Sequence, residues 1–279
     1  MKIPKRYFWM TLILAALVLV SSSAGIFVNG IYAREAPSWA LLGIAQDIAN
    51  VVAVVVLVIA AYFVSRESVR GLLVWIGVLL FLIYACVIYT FDVHFNSLFL
   101  LYVAILGLSV YTFLGGAMRL NIDALRNHFP AKTKARPAVS IFLMLSALLF
   151  YFLWLSEDVP ALLAESAPAS VTEAVLPTNP VHVLDLGIYL PAMIITSVSL
   201  WRRKALGYTF SVPLLVFSTL TGFGILIIDF LMSAGGVSVN SGQEAFVAAL
   251  VAVGLVLSWL YLRVVKDTVI PDDVVRAYR

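Results

Sequence analysis

Eight long apolar runs, separated by short polar segments, constrain this 279-residue chain more than any other feature. A bilayer core of about 30 Å needs roughly 20 apolar residues per helix. The backbone finds no water there, and the runs do not alternate as barrel strands do, so helices are expected. The sequence predicts an all-α polytopic protein with eight transmembrane helices. The runs cover about 8–29, 40–64, 71–92, 96–118, 139–156, 181–201, 206–232 and 244–264.

The composition excludes several classes of function. Hydrophobic residues make up 63% of the chain and charged residues only 12%, whereas soluble domains carry about 25% charged residues. A surface this apolar argues against soluble enzyme folds and against nucleic acid as a partner. The single cysteine, Cys86, lies inside an apolar run, so the sequence predicts neither disulfides nor a cysteine-rich metal site.

Positively charged residues predict the orientation of the spans. Of the 18 Lys and Arg residues, all except Arg34 fall on one side if the chain crosses the membrane eight times. Because Lys and Arg are enriched in cytoplasmic loops, we expect both termini in the cytoplasm and the chain in the inner (plasma) membrane. The residues on that side are Lys2, Lys5, Arg6, Arg66, Arg70, Arg119, Arg126, Lys132, Lys134, Arg136, Arg202, Arg203, Lys204, Arg263, Lys266, Arg276 and Arg279.

A pattern of polar residues recurs in the two halves of the chain. In each copy a membrane aspartate precedes an arginine and a glycine at the next turn, and the following helix ends at a second aspartate. Two copies of a four-helix unit would be related by a pseudo-twofold axis along the membrane normal. The copies are Asp47, Arg66, Gly71 and Asp92, then Asp185, Arg202, Gly207 and Asp229. The predicted units are 1–118 and 139–264, with a basic linker 119–138 and a tail 265–279.

Two connecting segments allow more than one interpretation. The linker 119–138 fits a solvated loop, or a short interfacial helix that contacts anionic lipid. The segment 157–180 is rich in Ala, Pro, Ser and Glu. It fits either a structureless connection or a cap over an outward-facing cavity.

Ionisable residues inside spans are candidate functional residues, because each costs about 2.5–3.5 kcal/mol on insertion scales. They concentrate in the half of the membrane opposite the basic loops. We expect Asp47 and Asp185 to form a central pair in an acidic, outward-facing pocket, with His182 beside Asp185. The candidates for binding a ligand or proton are Asp47, Asn50, Asp92, His94, His182, Asp185, Asp229 and Glu244.

Such a pocket suits a proton, a metal ion, an organic cation or another small solute. Ion-linked transport or sensing is therefore the first hypothesis, with membrane lipids as surroundings. A second is a metal-dependent lipid hydrolase of the outer leaflet that uses His94 and His182, although no HExxH pattern is present. A third is a non-catalytic subunit with a membrane-protein partner. The sequence leaves enzymatic activity open and indicates no particular cofactor.

The stretch from His182 to Ala192, continued by Leu200 to Tyr208, resembles a segment of uncharacterised multi-pass inner-membrane proteins of bacteria. The resemblance covers only the sixth and seventh predicted spans, roughly a fifth of the chain. It implies that Asp185, Pro191, Gly207 and Tyr208 belong to a recurrent pattern, and it implies no activity.

Overall fold

The structure, a computed structural model, describes residues 5–130, 133–236 and 241–266. Within these ranges all regular elements are helical, and eight helices are long and apolar enough to cross a membrane. The predicted all-α, eight-span membrane fold is confirmed. The spans are α1 (Lys5–Phe27), α2 (Pro37–Ser65), α3 (Val69–Phe91), α4 (Phe99–Ala117), α6 (Ala135–Leu163), a sixth span Pro180–Trp201, α10 (Ala205–Ala234) and α11 (Ser241–Val264).

The sixth span is interrupted. It consists of α8 (Pro180–Leu184), a π-helical turn (Asp185–Tyr189) and α9 (Leu190–Trp201). Pro191 has no N–H to donate to the carbonyl of Gly187, and its ring would crowd that carbonyl in an α-helix. A π turn before the proline accommodates this, and such turns are frequent at functional sites.

The central helix of the molecule is α3. In its most apolar stretch 72% of the residues are buried, against 39% or fewer in every other span. It packs closely on α10, where a Cβ added to Gly77 would lie 2.7 Å from the carbonyl oxygen of Pro213. Glycine permits this approach, which joins the two halves of the chain.

The two halves share a pattern of helix neighbours. In the first half α1 packs on α2, α2 on α3, α3 on α4 and α4 on α1. In the second half α6, α9, α10 and α11 pack on one another in the same cyclic order. The two sets of four helices therefore form similar bundles.

The turns that follow the second helix of each half also have matching backbones. Glu67 and Arg203 have positive φ angles of 65° and 57°. The next residue in each turn donates its N–H to a carbonyl five residues earlier, at 3.0 Å to Phe63 and 2.8 Å to Ser199. Gly71 and Gly207 stand at the same distance after these residues, and at both a Cβ would overlap the end of the preceding helix. The two turns therefore have the same local structure, and the internal repeat stays a prediction.

The described part of the basic linker packs under the bundle. It forms α5 (Ile122–Arg126), in which Leu125 is fully buried. Phe129 lies against the rings of Tyr208 and Tyr261, with centroids 5.1 and 5.3 Å away. The described part of the linker thus contains a short helix followed by turns, and the apolar side of this helix contacts protein. Of the predicted tail 265–279 only residues 265 and 266 are described, and Lys2, Lys132, Arg276 and Arg279 also lie outside the described ranges.

Two further short segments differ from the predicted boundaries. The fifth span, α6, continues to Leu163 rather than ending near 156, and so carries Glu157 and Asp158 on a helix. The following connection contains α7 (Ala169–Ala174). Hereafter the basic face is the end of the bundle that carries Arg70, Arg136 and α5, and the opposite face is the end that carries α7.

Replacing Gly77 with Ala should destabilise the protein by about 1–3 kcal/mol, because the added methyl group overpacks the contact between α3 and α10. Thermal unfolding of the purified protein in detergent measures the effect. Gly107→Ala is the matched control, since a Cβ at Gly107 meets no atom within 4 Å. Equal melting temperatures of the two variants would contradict the role of Gly77.

Candidate functional site

A cavity of about 370 Å³ lies where the two halves meet, in the part of the bundle nearer the opposite face. Helices α2 and α3 line it from the first half, and α6, the sixth span, α10 and α11 line it from the second. Its size falls in the range of small-molecule sites, about 300–1,000 Å³. The walls are mainly apolar, with seven aromatic side chains. These are Trp39, Tyr84, Phe142, Phe150, Trp154, Tyr189 and Phe217.

The acidic end of this cavity is formed by Asp185 and Glu157. Asp185 is the first residue of the π turn, and the indole N–H of Trp154 donates a hydrogen bond of 2.9 Å to its Oδ2. The Oε1 of Glu157 accepts a hydrogen bond of 2.8 Å from the backbone N–H of Ser170. Both carboxylates are therefore fixed in place by neutral donors.

His182 lines the same end of the cavity and is held on three sides. Its Nδ1 lies 2.9 Å from Oδ1 of Asp158, and its Nε2 lies 3.9 Å from Oε2 of Glu157. Its ring also packs on the ring of Trp154, with centroids 4.4 Å apart. His182 and Asp185 thus line the same end of the cavity but are not direct partners. The direct partner of the imidazole is Asp158.

The segment that contains α7 covers this end of the cavity. Ala174 and Leu176 pack against Trp39 at the start of α2. Ser170 lines the cavity, and its hydroxyl accepts a hydrogen bond of 3.1 Å from the side-chain amide of Asn179. Of the two interpretations given for 157–180, the structure agrees with the cap.

Asp47 lies in different surroundings from Asp185. It is 1% exposed, and it accepts hydrogen bonds from the hydroxyls of Tyr32, at 2.6 Å, and Tyr89, at 3.0 Å. It does not line the large cavity. A Cβ at Gly25 would overlap its carboxylate, so α1 also closes on it. The structure therefore differs from the expectation of one pocket that holds both aspartates.

The alignment of the two halves gives a reason for this difference. Measured from the left-handed residue of each turn, Asp47 stands two residues further away from Glu67 than Asp185 stands from Arg203. The π turn changes the helical phase again in the second half. The two aspartates are consequently not at equivalent positions of the two halves.

Asp92 and His94 belong to a third group, in the loops of the opposite face. The backbone N–H of His94 donates to Oε1 of Glu35 at 2.8 Å, and His94 Nδ1 lies 3.0 Å from Oε2. The Glu35 side chain is only 1% exposed, whereas that of His94 is 39% exposed. Burial, together with the nearby charge of Glu35, raises the pKa of Asp92 to about 6.

The remaining predicted residues have separate positions. Asn50 is buried and accepts a hydrogen bond of 2.9 Å from Gln46, which lines the large cavity. Asp229 is buried, and its Oδ2 has no hydrogen-bond partner among the described residues. Glu244 is exposed in the first turn of α11. A ligand- or proton-binding role for each of these residues stays a prediction.

Sequence reasoning did not select Glu35, Glu157, Trp154 or the tyrosines that hold the aspartates. Glu157 follows the end of the fifth apolar run, in the segment rich in Ala, Pro, Ser and Glu, and Glu35 also lies outside the apolar runs. Tyrosine and tryptophan are also common in membrane interfaces, so their presence carries little signal. Their partners are distant in sequence, and only the packing of the helices identifies them.

The two histidines that were considered as metal ligands lie in different groups, His94 with Glu35 and His182 with Asp158. In the part of the chain that the structure describes, no group of three or more His, Cys, Asp or Glu side chains could hold a metal ion.

Comparison of the chain with protein-family models, with curated proteins and with solved structures gave no match.

Asp92→Asn should change how stability depends on pH. The pKa of Asp92 is about 6 in the folded protein and about 3.9 in an unfolded chain, so the folded state binds the proton more tightly. This group therefore stabilises the fold at low pH, and the contribution is lost as pH rises from about 4 through about 6. Melting temperatures at about pH 4.5 and about pH 8 should differ less in the variant than in the wild type.

Asp123→Asn is the control for that measurement, since Asp123 is exposed in α5 on the basic face. If Asp92→Asn and Asp123→Asn leave the same pH dependence as the wild type, the assignment to Asp92 is wrong.

Proposed function

We propose that this integral membrane protein binds a small, mainly apolar organic cation in the large cavity and carries it across the membrane in an ion-linked cycle. The observation on which this depends is the combination of aromatic walls with two carboxylates at one end. Ionisable residues within membrane spans are expensive and usually mark a site of function.

The charges around the cavity favour a positively charged ligand. Asp185 and Glu157 line it, and no Lys or Arg does so among the described residues. His182 also lines the cavity, and its imidazole already has Asp158 as a partner. A cation would balance carboxylates that otherwise lie in surroundings of low dielectric constant.

The walls favour a ligand with an apolar body. Tyr189 and Phe217 stack with centroids 4.3 Å apart, and Tyr84 meets both rings edge-on at 5.0 and 5.4 Å. Aromatic faces attract cations and also provide a large apolar contact area. One buried hydroxyl in the wall, Thr221 Oγ1, has no hydrogen-bond partner within the described ranges and could serve a polar group of the ligand.

The shape of the molecule supports transport rather than binding alone. The cavity occupies the part of the bundle nearer the opposite face, while the part nearer the basic face is closed by the packing of α3 on α10 at Gly77 and Pro213. Many transporters hold their substrate between two structural repeats that rock against each other. Separation of α3 from α10 would open the cavity toward the basic face.

Binding of radiolabelled tetraphenylphosphonium to the full chain in lipid nanodiscs tests the proposal. Tetraphenylborate has the same shape and the opposite charge, and empty nanodiscs correct for partition into lipid. We expect saturable binding of the cation alone. Asp185→Asn should weaken it at least tenfold, which corresponds to about 1.4 kcal/mol.

Glu244→Gln is the matched control, because Glu244 is an exposed acid near the same face but outside the cavity. Its affinity for tetraphenylphosphonium should equal that of the wild type. Saturable binding of tetraphenylborate with similar affinity, or unchanged binding of the cation by Asp185→Asn, would refute the proposal.

A further inference from the structure

We infer that Asp47 is a proton-binding site, separate from the ligand cavity, and that it exchanges its proton with the opposite face through Tyr32 and a small cavity beside Glu35. Proton binding by Asp47 does not depend on the proposed function. Its use as the coupling ion rests on the proposed function.

The groups that surround Asp47 come from four elements. Tyr32, from the turn before α2, and Tyr89, from α3, hydrogen-bond directly to its carboxylate. Tyr102 of α4 stacks on Tyr89 with centroids 5.0 Å apart, and α1 contributes Ser22 and Gly25. Cys86 of α3 is the other titratable group close enough to interact. Among the described residues that interact with the carboxylate, none is a Lys, Arg or His.

The hydrogen bonds around Asp47 can be satisfied with or without a proton on it. The Tyr89 hydroxyl lies 3.0 Å from Oδ1 of Asp47 and also 3.0 Å from the carbonyl oxygen of Gly43. When Asp47 is ionised, Tyr89 donates to the carboxylate. When Oδ1 carries a proton, it can donate to the Tyr89 oxygen while Tyr89 donates to Gly43. Neither state leaves a buried donor without an acceptor, which is the condition for reversible protonation inside a protein.

The direct contacts favour a proton over a metal ion. The Tyr32 hydroxyl is 2.6 Å from Oδ2, and Gly25 packs so closely that a Cβ would overlap the carboxylate. A coordinated cation would need these oxygens to surround it rather than to hydrogen-bond with one another. A proton fits the site without any such separation.

A route to the opposite face begins at a second, small cavity. Its volume is about 20 Å³, and Tyr32, Glu35, Gly43, Gln46 and Tyr89 are among the residues that line it. One water molecule needs about 10–15 Å³ on this measure, so the cavity is large enough for one water between the buried Glu35 carboxylate and the tyrosines. Glu35 in turn bonds to His94, whose ring is part-exposed. These groups form a path between the opposite face and Asp47.

The same small cavity adjoins the proposed ligand site. Trp39, Leu42, Gln46 and Ile88 line both cavities. Rearrangement of this shared wall when a ligand enters would alter the surroundings of Tyr32 and Tyr89. This contact gives a physical basis for linking proton release by Asp47 to ligand binding.

Infrared difference spectroscopy of the full chain in nanodiscs, without ligand, tests the proton site. Spectra of protein that already carries Asp92→Asn, so that Asp92 cannot contribute, should show a carboxylic acid C=O stretching band that titrates between about pH 5 and about pH 9. Asp47→Asn should remove this band, whereas Asp185→Asn, the matched control, should retain it. A band unchanged by Asp47→Asn would overturn the proposal, as would one that Na⁺ removes at constant pH.

Tyr89→Phe provides a test that does not require removal of the acid, in case Asp47→Asn fails to fold. Loss of a hydrogen bond to the carboxyl group should move the band to higher frequency without abolishing it. Tyr84→Phe, in the wall of the large cavity and without a hydrogen bond to Asp47 in the structure, should leave the band in place. Identical bands in Tyr89→Phe and wild type would exclude Asp47 as the source.

The coupling is tested separately by tetraphenylphosphonium binding at several pH values. We expect affinity to vary with pH in the wild type and to vary less with pH in Asp47→Asn, with binding itself preserved. Failure of the cation to bind any variant would refute the proposed ligand but leave the infrared result standing. Normal pH dependence in Asp47→Asn would refute the coupling.

Discussion

Hydrocarbon offers no water to a buried polar group, so each carboxylate within the bundle needs a partner from the protein itself. Asp47 and Asp185 meet this requirement with aromatic donors. Asp47 accepts from the hydroxyls of Tyr32 and Tyr89, and Asp185 accepts from the indole N–H of Trp154. A neutral donor fixes the position of an acid without cancelling its charge. An Arg or Lys partner would instead have neutralised it.

The close packing of α3 on α10 determines where these acids can act. Gly77 lets the helices touch near the basic face, and Tyr84 and Phe217, further along the same two helices, line the cavity near the opposite face. The cavity therefore lies on one side of the centre of the bundle, and close helix packing occupies the other. Because α3 also carries Tyr84 toward the cavity and Tyr89 toward Asp47, one helix contacts both the candidate ligand site and the candidate proton site.

Comparison of the two halves shows how far a recurring pattern of residues in the sequence predicts the position of a site. The matching turns at Glu67 and Arg203 agree with a repeated unit, and the residues that form them are recognisable by spacing alone. The aspartates were aligned by the same spacing, yet they face different partners. A shift of two residues and a π turn are small changes in a sequence, but each alters the direction of a side chain around the helix axis. Two similar four-helix bundles can thus direct their aspartates toward different surroundings.

The number of spans, their helical form and the concentration of ionisable residues near one face can be predicted from the residues alone. These properties follow from the length and apolarity of each run, which are local, and from the cost of charge in lipid. The packing of the helices was needed to find that Glu35 is buried against His94, that α7 covers the cavity, and that Asp47 and Asp185 lie in separate sites. Those outcomes depend on which helix faces meet, and in a uniformly apolar chain nearly every face has the same hydrophobicity, so the pattern of residues cannot distinguish them.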